Sequence, residues 1–376
     1  MSAPAAAMSR TRSRVDQVTW RRRGVGLTGH DPDLSFGGVT LYATQTLPLV
    51  KLIDEQGREL HRWEPPVRPG RHAVLLENGN LGYNGSCPDG EAPYPIWPLW
   101  RGGAFMELDP QGRTVWSHRD PAHHHDAQWL ANGDLLYAAA APLPDDIVRR
   151  LGGAPGQRIW GDVVRQVDRA HRLVWEWRSW EHLTPEDHPT QSIFGLQHWP
   201  MINGLWSASG DRVLMSLRTT SGVIAVERSS GRVAWRLGPE MLAQQHAPVE
   251  LANGHVLIFD NGTMRPSVST HYSRVIEVDP ADDSVVWEYR DPMAASFFSP
   301  YMGAAQRLAN GNTFVTESAT GRLFEVTPSG EVVWEFVIPE FAPYPEPVLG
   351  PIIGGHHNSV FRAFRYARSD VPWLTG

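Results

Sequence analysis

The sequence has one cysteine, Cys87, among 376 residues, so no disulfide can form within the chain. It has no apolar run near the roughly 18 residues that a membrane-spanning helix needs. Basic residues near the N-terminus are not followed by the apolar stretch of about 7–15 residues that marks a secretory signal. From these absences we predict a cytoplasmic protein that has no membrane partner.

An excess of positive charge is also missing, because 34 Lys and Arg face 41 Asp and Glu and give a formal net charge of −7. This balance predicts no nucleic-acid partner, since nucleic-acid binding depends on a basic surface. Hydrophobic residues make up 41% of the chain, which is enough to bury a core. We expect residues 1–24 to form a flexible basic tail and residues 25–376 to form a single domain.

Glycine and proline are abundant, with 35 and 31 residues, and predict many turns and few long helices. One phrase recurs six times: an apolar–acidic alternation, a polar turn, and then valine and tryptophan. Period-two alternation gives strands and the polar group gives a turn, so each copy predicts a β-hairpin. In the first copy His61 stands at the tryptophan position, and Trp63 follows two residues later. The copies lie at 50–63, 104–116, 163–175, 222–235, 273–287 and 322–334.

A second phrase, centred on Asn-Gly between two apolar runs, lies between the copies. Asn-Gly in this setting is the strongest short hairpin signal, because both turn residues must accept a positive φ. Each repeat therefore contains two hairpins, or four strands, which is one propeller blade. This phrase occurs at 75–83, 129–137, 250–259 and 307–315, with a degenerate copy at 206–215.

Six blades predict an all-β, six-bladed propeller, with a seven-bladed ring containing one degenerate blade as the alternative. The chain begins with an outer hairpin at 37–63, and its last segment, 356–366, lacks an outer hairpin of its own. Pairing of these two segments in one blade would close the ring and leave no terminal sheet edge exposed. The recurring tryptophans are interpreted as blade packing.

Histidines stand near the start of five of the six predicted inner strands, which in a propeller line the central axis. His125 and His246 are both seven residues before the Asn of their hairpin, and His72 is six before. Clustered imidazoles either hold a divalent metal or act as nucleophile and base beside groups that stabilise negative charge. The histidines in these positions are His72, His123, His124, His125, His198, His246, His356 and His357.

The segments 206–238 and 244–279 resemble the bacterial arylsulfotransferases, PAPS-independent enzymes with a six-bladed propeller. The resemblance rests on S-x-R followed by G-x-I, E-R-x-S-G and W-x-L-G, and then on Q-H, N-G, F-D-N-G and S-R. It extends over roughly residues 100–340. It implies an enzyme that passes a sulfuryl group from an aryl sulfate to a phenol through a covalent histidine, without a cofactor.

The resemblance also implies roles for individual residues. The covalent nucleophile corresponds to His246, and the arginine that stabilises the sulfuryl group corresponds to Arg218. The H-x-N-S motif of the family aligns with residues 201–204, so Asn203 matches while Met201 stands where the family has histidine. His198, three residues earlier, is the candidate substitute. The predicted catalytic set is His246, Arg218, His198, His125, His357 and Asn203.

Aromatic, proline-rich segments between the strands predict a pocket for a phenolic or other hydrophobic small molecule. The F-D-N-G segment either brings Asp260 and Asn261 to the axis or forms an ordinary turn. The predicted substrate-binding residues are Trp97, Trp100, Arg101, Phe297, Phe298 and Tyr301.

Two other functions compete with sulfuryl transfer. One is a metal-dependent lyase or hydrolase that holds a divalent transition metal on the histidines of the inner strands. The other is a propeller that binds a ligand or a protein without catalysis. The metal ligands in the first alternative would be His72, His125, His198, His246 and His357.

Overall fold

A computed structural model describes residues 13–18, 22, 24–90, 92–266 and 268–374. The strands in these ranges form six sheets, one for each repeat of the sequence, arranged around a common axis and antiparallel except where the short strand His198–Trp199 pairs parallel to Trp160–Val167. The prediction of an all-β, six-bladed propeller is therefore confirmed, and the described residues form no seventh blade. The first strands of neighbouring blades contact one another at the axis, as the histidine argument requires.

The first three blades follow β1 in chain order. The leading strand is β1 (Gly26–His30). The first blade has β2 (Val39–Ala43), β3 (Val50–Asp54) and β4 (Glu59–Trp63). The second has β5 (Pro69–Leu75), β6 (Leu81–Ser86), β7 (Gly103–Leu108) and β8 (Thr114–Arg119). The third has β9 (His123–Trp129), β10 (Leu135–Pro142), β11 (Trp160–Val167), β12 (Leu173–Arg178) and the short β13 (His198–Trp199).

The last three blades complete the ring. The fourth has β14 (Ile202–Ala208), β15 (Arg212–Leu217), β16 (Gly222–Glu227) and β17 (Val233–Leu237). The fifth has β18 (His246–Glu250), β19 (Val256–Asp260), β20 (Arg274–Asp279) and β21 (Ser284–Tyr289). The sixth has β22 (Ala304–Arg307), β23 (Thr313–Glu317), β24 (Arg322–Val326) and β25 (Val332–Val337). The final strand is β26 (Phe364–Tyr366).

The ring closes in the first blade, where β26 pairs with β2 in antiparallel register. Val39 lies opposite Tyr366, and Leu41 lies opposite Phe364. The predicted pairing of the two chain ends is thus confirmed. The structure adds one feature that the repeat pattern did not predict: β1 pairs with β25 and becomes a fifth strand on the outer edge of the sixth blade.

The outer-strand tryptophans join each blade to the next. The indole N–H of Trp116 donates to the carbonyl of Arg169 at 3.0 Å, and that of Trp175 donates to the carbonyl of Arg228 at the same distance. The indole N–H of Trp334 donates to the carbonyl of Glu55 at 2.7 Å and so connects the last blade to the first. A tryptophan recurs at this position because its ring packs between blades while its N–H satisfies an unpaired turn carbonyl.

The segment predicted as a flexible tail lies largely outside the described residues, which omit 1–12, 19–21 and 23. Its described part contacts the sixth blade. The hydroxyl of Ser13 donates to the carbonyl of Val332 at 2.8 Å, and Val15 is buried. The guanidinium of Arg22 pairs with the carboxylate of Glu335 at 2.8 Å.

Helical structure in the described residues is limited to short segments, most of them between strands and two after β26. The α-helices among them are α1 (Asp145–Arg150), after β10, and α2 (Ser179–His182), after β12. No helix in the described ranges has the length and apolar composition needed to cross a bilayer.

A residue in the left-handed region lies within or just before several inner strands, with φ of 58° at His125 in β9, 61° at Met201 before β14 and 57° at Met302 before β22. Beside His125 the pairing of β9 with β10 shifts register. Such a bulge breaks the alternation of side chains between the two faces of a strand. Alternation would separate the neighbours His124 and His125, but the bulge brings their Nδ1 atoms to 2.8 Å.

Candidate active site

Two arginines, one buried and one half-buried, lie near the axis without a carboxylate partner among the described residues. Arg71, in β5, is 2% exposed; its Nε donates to the carbonyl of Trp100 at 3.0 Å. Arg218, directly after β15, is partly exposed, and its Nη2 contacts Oε1 of Gln244 at 3.4 Å. Among the described residues no carboxylate forms an ion pair with either guanidinium.

Burial lowers the pKa of Arg71 to about 9 and the pKa of Arg218 to about 10. These shifts mean that the folded protein holds both charges at a cost, because a buried cation without a counter-ion loses its hydration. A bound anion would recover that cost. This region of the propeller therefore has the electrostatic character of an anion site.

His246, the first residue of β18, lies beside these arginines. Its Nδ1 lies 2.8 Å from Oδ1 of Asn261, whose amide nitrogen donates to the carbonyls of Ser299 and Met302. Because that amide is fixed, Oδ1 must accept, so His246 carries its proton on Nδ1. The lone pair is therefore on Nε2, which accepts a hydrogen bond from the backbone N–H of Met302 at 3.2 Å. Burial, followed by the charge of Arg218, lowers the pKa of His246 to about 3.

His125 faces the same charges from the third blade. Burial lowers its pKa well below the ordinary value, and the charge of Arg71 adds to the effect, as do smaller contributions from His246 and Arg218. The indole ring of Trp100 stacks on its imidazole, with ring centres 5.4 Å apart. No hydrogen bond reaches its Nε2 from the described residues, so this nitrogen is available to a ligand.

A hydrogen-bonded series of side chains lies behind His125. The Nε2 atoms of His124 and His198 lie 3.1 Å and 3.2 Å from Oδ1 of Asp162. The hydroxyl of Tyr94 lies 2.9 Å from Nδ1 of His198. His198 therefore does not take the place of Met201: it belongs to β13, which pairs with β11 of the third blade. Met201 itself is next to the site, where its carbonyl accepts the N–H of Arg218 at 2.9 Å.

Asn203 is buried between the fourth and fifth blades. Its amide nitrogen donates to the carbonyl of Gln245, the residue before His246, at 2.9 Å. It therefore supports the backbone that carries His246.

Trp97 and Trp100, two of the predicted pocket residues, lie beside histidines of the inner strands, and Trp97 is fully buried. The indole of Trp97 packs against the rings of Tyr94 and His124, at 5.6 Å from each, and Trp100 covers His125. Arg101 is buried beside them, and its Nη1 donates to the carbonyl of Gly90 at 3.3 Å. These residues come from the connection between β6 and β7.

The third aromatic segment is placed differently from the prediction. Phe297 is fully buried among Phe259, Tyr289 and Phe324, so it is a core residue. It was predicted to line the pocket because the sequence alone does not show which face of a loop is covered by the next blade. Its neighbour Phe298 is half-buried and stacks on His271. Tyr301 is also half-buried, and burial raises its pKa, with the nearby Tyr344 adding to the effect.

Two predicted histidines lie away from this group. His72 lies deeper along the axis, where its Nδ1 is 3.7 Å from Asp126, which pairs with Arg362. It lines a cavity of about 630 Å³ that reaches the turns of the inner hairpins, at the other end of the blades. His357 is half-buried in the loop before β26, with its Nε2 near the carbonyl of Gly354 at 3.1 Å.

The five histidines predicted as alternative metal ligands do not form one group. In the part of the chain that the structure describes, only His124, Asp162 and His198 gather as candidate metal ligands. Of the five predicted ligands, this group includes His198 alone.

Comparison with known proteins agrees with this fold and shows the family. The family model described as arylsulfotransferase (ASST) matches residues 100–338, which is more than half of the chain. The chain belongs to the arylsulfotransferase family. The family match covers His125, Asp162, Arg218 and His246, whereas Arg71 lies ahead of it.

Solved structures share the fold with this family member at low identity. A protein of unknown function from Bacteroides caccae superimposes with a TM-score of 0.53 and 11% identity, over 80% of this chain and 93% of that one. A catalytically inactive virginiamycin B lyase from Staphylococcus aureus gives a TM-score of 0.47 and 9% identity, over 85% and 91%. At these identities the likeness concerns the fold alone. A search of curated proteins gives no match.

Arg71, His124 and Asp162 were not predicted as site residues. For Arg71 a signal was available in the repeat: it lies seven residues before Asn78, the same spacing as His125 to Asn132 and His246 to Asn253. The prediction named its neighbour His72 instead, which lies six residues before Asn78. Asp162 gave no such signal, because it lies in the third strand of its blade.

Acidification from pH 7 to pH 5 is expected to lower the free energy of unfolding, by about 2 kcal/mol through His246 alone and further through His72. Their pKa values in the folded protein are lowered, to about 3 for His246, while the unfolded imidazoles protonate near pH 6.5. The stabilisation is therefore complete above pH 6.5 and is lost progressively as the pH falls toward about 3.

Urea unfolding at pH 7, 6 and 5 would measure this effect. The variant His246→Gln should lose the part of the pH dependence that His246 contributes, about 2 kcal/mol, and keep the part that comes from the other buried histidines with lowered pKa values, which include His72 and His125. A free energy of unfolding that stays constant between pH 7 and pH 5 would contradict the prediction.

Proposed function

We propose that this protein transfers a sulfuryl group from an aryl sulfate to a phenol through a covalent intermediate on His246. The observation that carries the proposal is the pair of buried guanidiniums, Arg71 and Arg218, beside two imidazoles that are neutral at pH 7. A sulfate ester is a permanent anion whose oxygens match the paired N–H groups of arginine. Membership of the arylsulfotransferase family supports a transferase.

His246 has the protonation state that a nucleophile needs. Its proton is held on Nδ1 by the hydrogen bond to Asn261, so the lone pair is on Nε2. The low pKa keeps that pair unprotonated across the physiological range. When Nε2 bonds to sulfur, the imidazole becomes cationic, and the carbonyl of the Asn261 side chain stabilises the charge on Nδ1–H.

In the first half-reaction, Nε2 of His246 attacks the sulfur of the donor, an N–S bond forms, and the S–O bond to the aryl oxygen breaks. The aryl oxide leaves with the bonding pair and takes a proton from water. In the second half-reaction, the acceptor phenol gives its proton to water, its oxygen bonds to sulfur, and the N–S bond breaks to restore His246.

The arginines and His125 act on the charge that moves during this sequence. Arg71 and Arg218 hold the non-bridging oxygens of the sulfuryl group, where a buried donor is worth more than one in water. His125, with Nε2 free of hydrogen bonds, exchanges a hydrogen bond with the aryl oxygen. Trp100 and Tyr94 offer aromatic surface for the ring of the donor and acceptor.

No cofactor enters this chemistry, and the small-molecule partner is an aromatic sulfate and a phenol. The cytoplasmic location, the single domain and the absence of nucleic-acid and membrane partners remain predictions from the sequence. A metal-dependent lyase or hydrolase remains the second candidate, because His124, Asp162 and His198 form a group of metal-ligating atoms.

The test uses 4-nitrophenyl sulfate as donor and 1-naphthol as acceptor. We expect acceptor-dependent release of 4-nitrophenol with ping-pong kinetics, and a mass increase of one sulfuryl group on the protein when the acceptor is omitted. Because His246 is neutral well below pH 7, the rate should stay flat from about pH 8 to pH 5 while the protein is folded. Release that is independent of acceptor, with no labelled protein, would indicate a hydrolase instead.

A further inference from the structure

A buried group of three side chains lies behind the candidate active site, between the third and fourth blades. It consists of His124 from β9, Asp162 from β11 and His198 from β13, each nearly or fully without solvent exposure. One ligand atom from each residue lies within 4.8 Å of the others. Sulfuryl transfer as proposed above uses none of these three residues directly.

Oδ1 of Asp162 is crowded by nitrogen atoms. It accepts the backbone N–H of Ile202 at 2.9 Å, and the Nε2 atoms of His124 and His198 lie 3.1 Å and 3.2 Å away. A carboxylate oxygen has two lone pairs, which three N–H donors exceed. Nε2 of His124 is fully buried and lacks a hydrogen bond of acceptable geometry. A buried polar atom in this condition calls for another partner.

We propose that His124, Asp162 and His198 bind one divalent transition metal ion, with zinc as the best match to the ligands. Two imidazoles and one carboxylate are a set found in three-residue zinc sites, in which water completes the tetrahedron. If a cation binds among these atoms, the Nε2 atoms of His124 and His198 no longer compete as N–H donors for Oδ1 of Asp162, and each ligates the metal through its lone pair. The metal also gives Nε2 of His124 the partner that it lacks.

The surroundings provide the outer contacts that metal ligands need. Oδ2 of Asp162 accepts the backbone N–H of Met201 at 2.8 Å, which fixes the carboxylate. The far nitrogen of His198 contacts the hydroxyl of Tyr94, and the far nitrogen of His124 contacts Nδ1 of His125. Such contacts orient ligating imidazoles and set their tautomers. Trp97 packs over both histidines and separates the group from bulk solvent.

Metal binding would determine the tautomer of His125, a consequence that rests on the proposed function. With Nε2 of His124 on the metal, its proton is on Nδ1 and is donated to Nδ1 of His125. His125 then carries its own proton on Nε2. It becomes a hydrogen-bond donor toward the aryl oxygen, which is where negative charge develops when the S–O bond breaks.

The first measurement is the metal content of the purified full-length protein by plasma mass spectrometry, before and after dialysis against a chelator and reloading with Zn²⁺. We expect close to one zinc per chain after reloading, and a Tm several degrees higher than that of the chelated protein. Loading with Co²⁺ should give the visible absorption bands of a tetrahedral site with nitrogen and oxygen ligands.

Variants assign the ion to these residues. His198→Gln and His124→Gln should lose the stoichiometric metal and the cobalt spectrum, whereas His72→Gln, a buried histidine outside the group, should retain both. Circular dichroism and urea unfolding identify any variant that fails to fold, in which case the cobalt spectrum of the unaltered protein decides. Absence of zinc and of a tetrahedral cobalt spectrum after reloading would overturn the proposal, as would metal retained by both folded variants.

The metal site and the sulfotransferase activity are tested by different measurements, so either proposal can be contradicted without the other. Metal content is measured without any sulfate ester, so a protein without sulfotransferase activity can still contain the ion. A sulfotransferase that binds no metal would leave the covalent mechanism in place and remove only the proposed control of His125.

Discussion

Replacement of His246 by alanine is expected to lower kcat/KM for sulfuryl transfer by about 10³-fold or more and to abolish labelling of the protein. In the proposed mechanism Nε2 of His246 forms the bond to sulfur, and no water at this buried position can replace the covalent intermediate. Asn261 should be a positioning residue, because its side chain holds the tautomer of His246 through a 2.8 Å hydrogen bond. Labelling with a radioactive aryl sulfate and steady-state kinetics measure both effects.

His255→Ala is the matched control, since His255 lies in the same blade at the opposite end of the inner hairpin and pairs with Glu277. It should keep full activity and full labelling. His125→Ala should reduce the rate while leaving the label on the protein, because His125 contacts the aryl oxygen rather than sulfur. If His246→Ala is still labelled and His125→Ala is not, the nucleophile is His125 and our assignment is wrong.

Replacement of Arg218 by methionine is expected to lower kcat/KM by about 10²–10³-fold, and Arg71→Met should have an effect of the same order. Arg71 is buried and Arg218 is half-buried, burial lowers the pKa of both guanidiniums, and neither has a carboxylate partner among the described residues. Methionine keeps much of the side-chain volume and removes the charge. Inorganic sulfate, which competes for the same two cations, should inhibit both variants more weakly than it inhibits the parent enzyme.

Arg212→Met is the control for this series. Arg212 is the first residue of β15, the strand that ends just before Arg218, and its guanidinium pairs with Glu250 at 3.2 Å. This variant should leave both kcat/KM and inhibition by sulfate unchanged. Removal of an unpaired buried charge should also stabilise the fold or leave it unchanged, whereas loss of a paired charge destabilises it. A large loss of thermal stability in Arg218→Met, with activity retained, would assign the arginine a structural role.

The repeat made the fold accessible from the sequence. Each blade must bury the same faces, so the alternating strands, the Asn-Gly turns and the outer tryptophans recur at nearly constant spacing. The indole N–H of Trp334 donates to the carbonyl of Glu55 and so connects the last blade to the first, as the other outer-strand tryptophans connect neighbouring blades. The pairing of β26 with β2 followed from the need to cover two sheet edges.

The choice of His246 as the proposed nucleophile and of Arg218 as a proposed sulfuryl-binding residue also came from the sequence, through the family motif around them. What the motif could not give was the state of these groups. The pKa values of His246 and Arg218 are lowered because neighbouring blades bury these side chains. The spacing of residues along the sequence does not show this burial.

Other parts of the site were decided by the tertiary structure alone. His198 resembled a substitute for the family histidine, but β13 pairs with the third blade and brings it to Asp162. The bulge at His125 placed two adjacent histidines together, against the alternation expected of a strand. The repeat predicts the features that all blades share, such as strands and turns, but it cannot predict these contacts, because they differ from blade to blade. The sequence therefore determined the ring, its closure and the family's motif residues, whereas packing between blades decided which side chains meet at the axis.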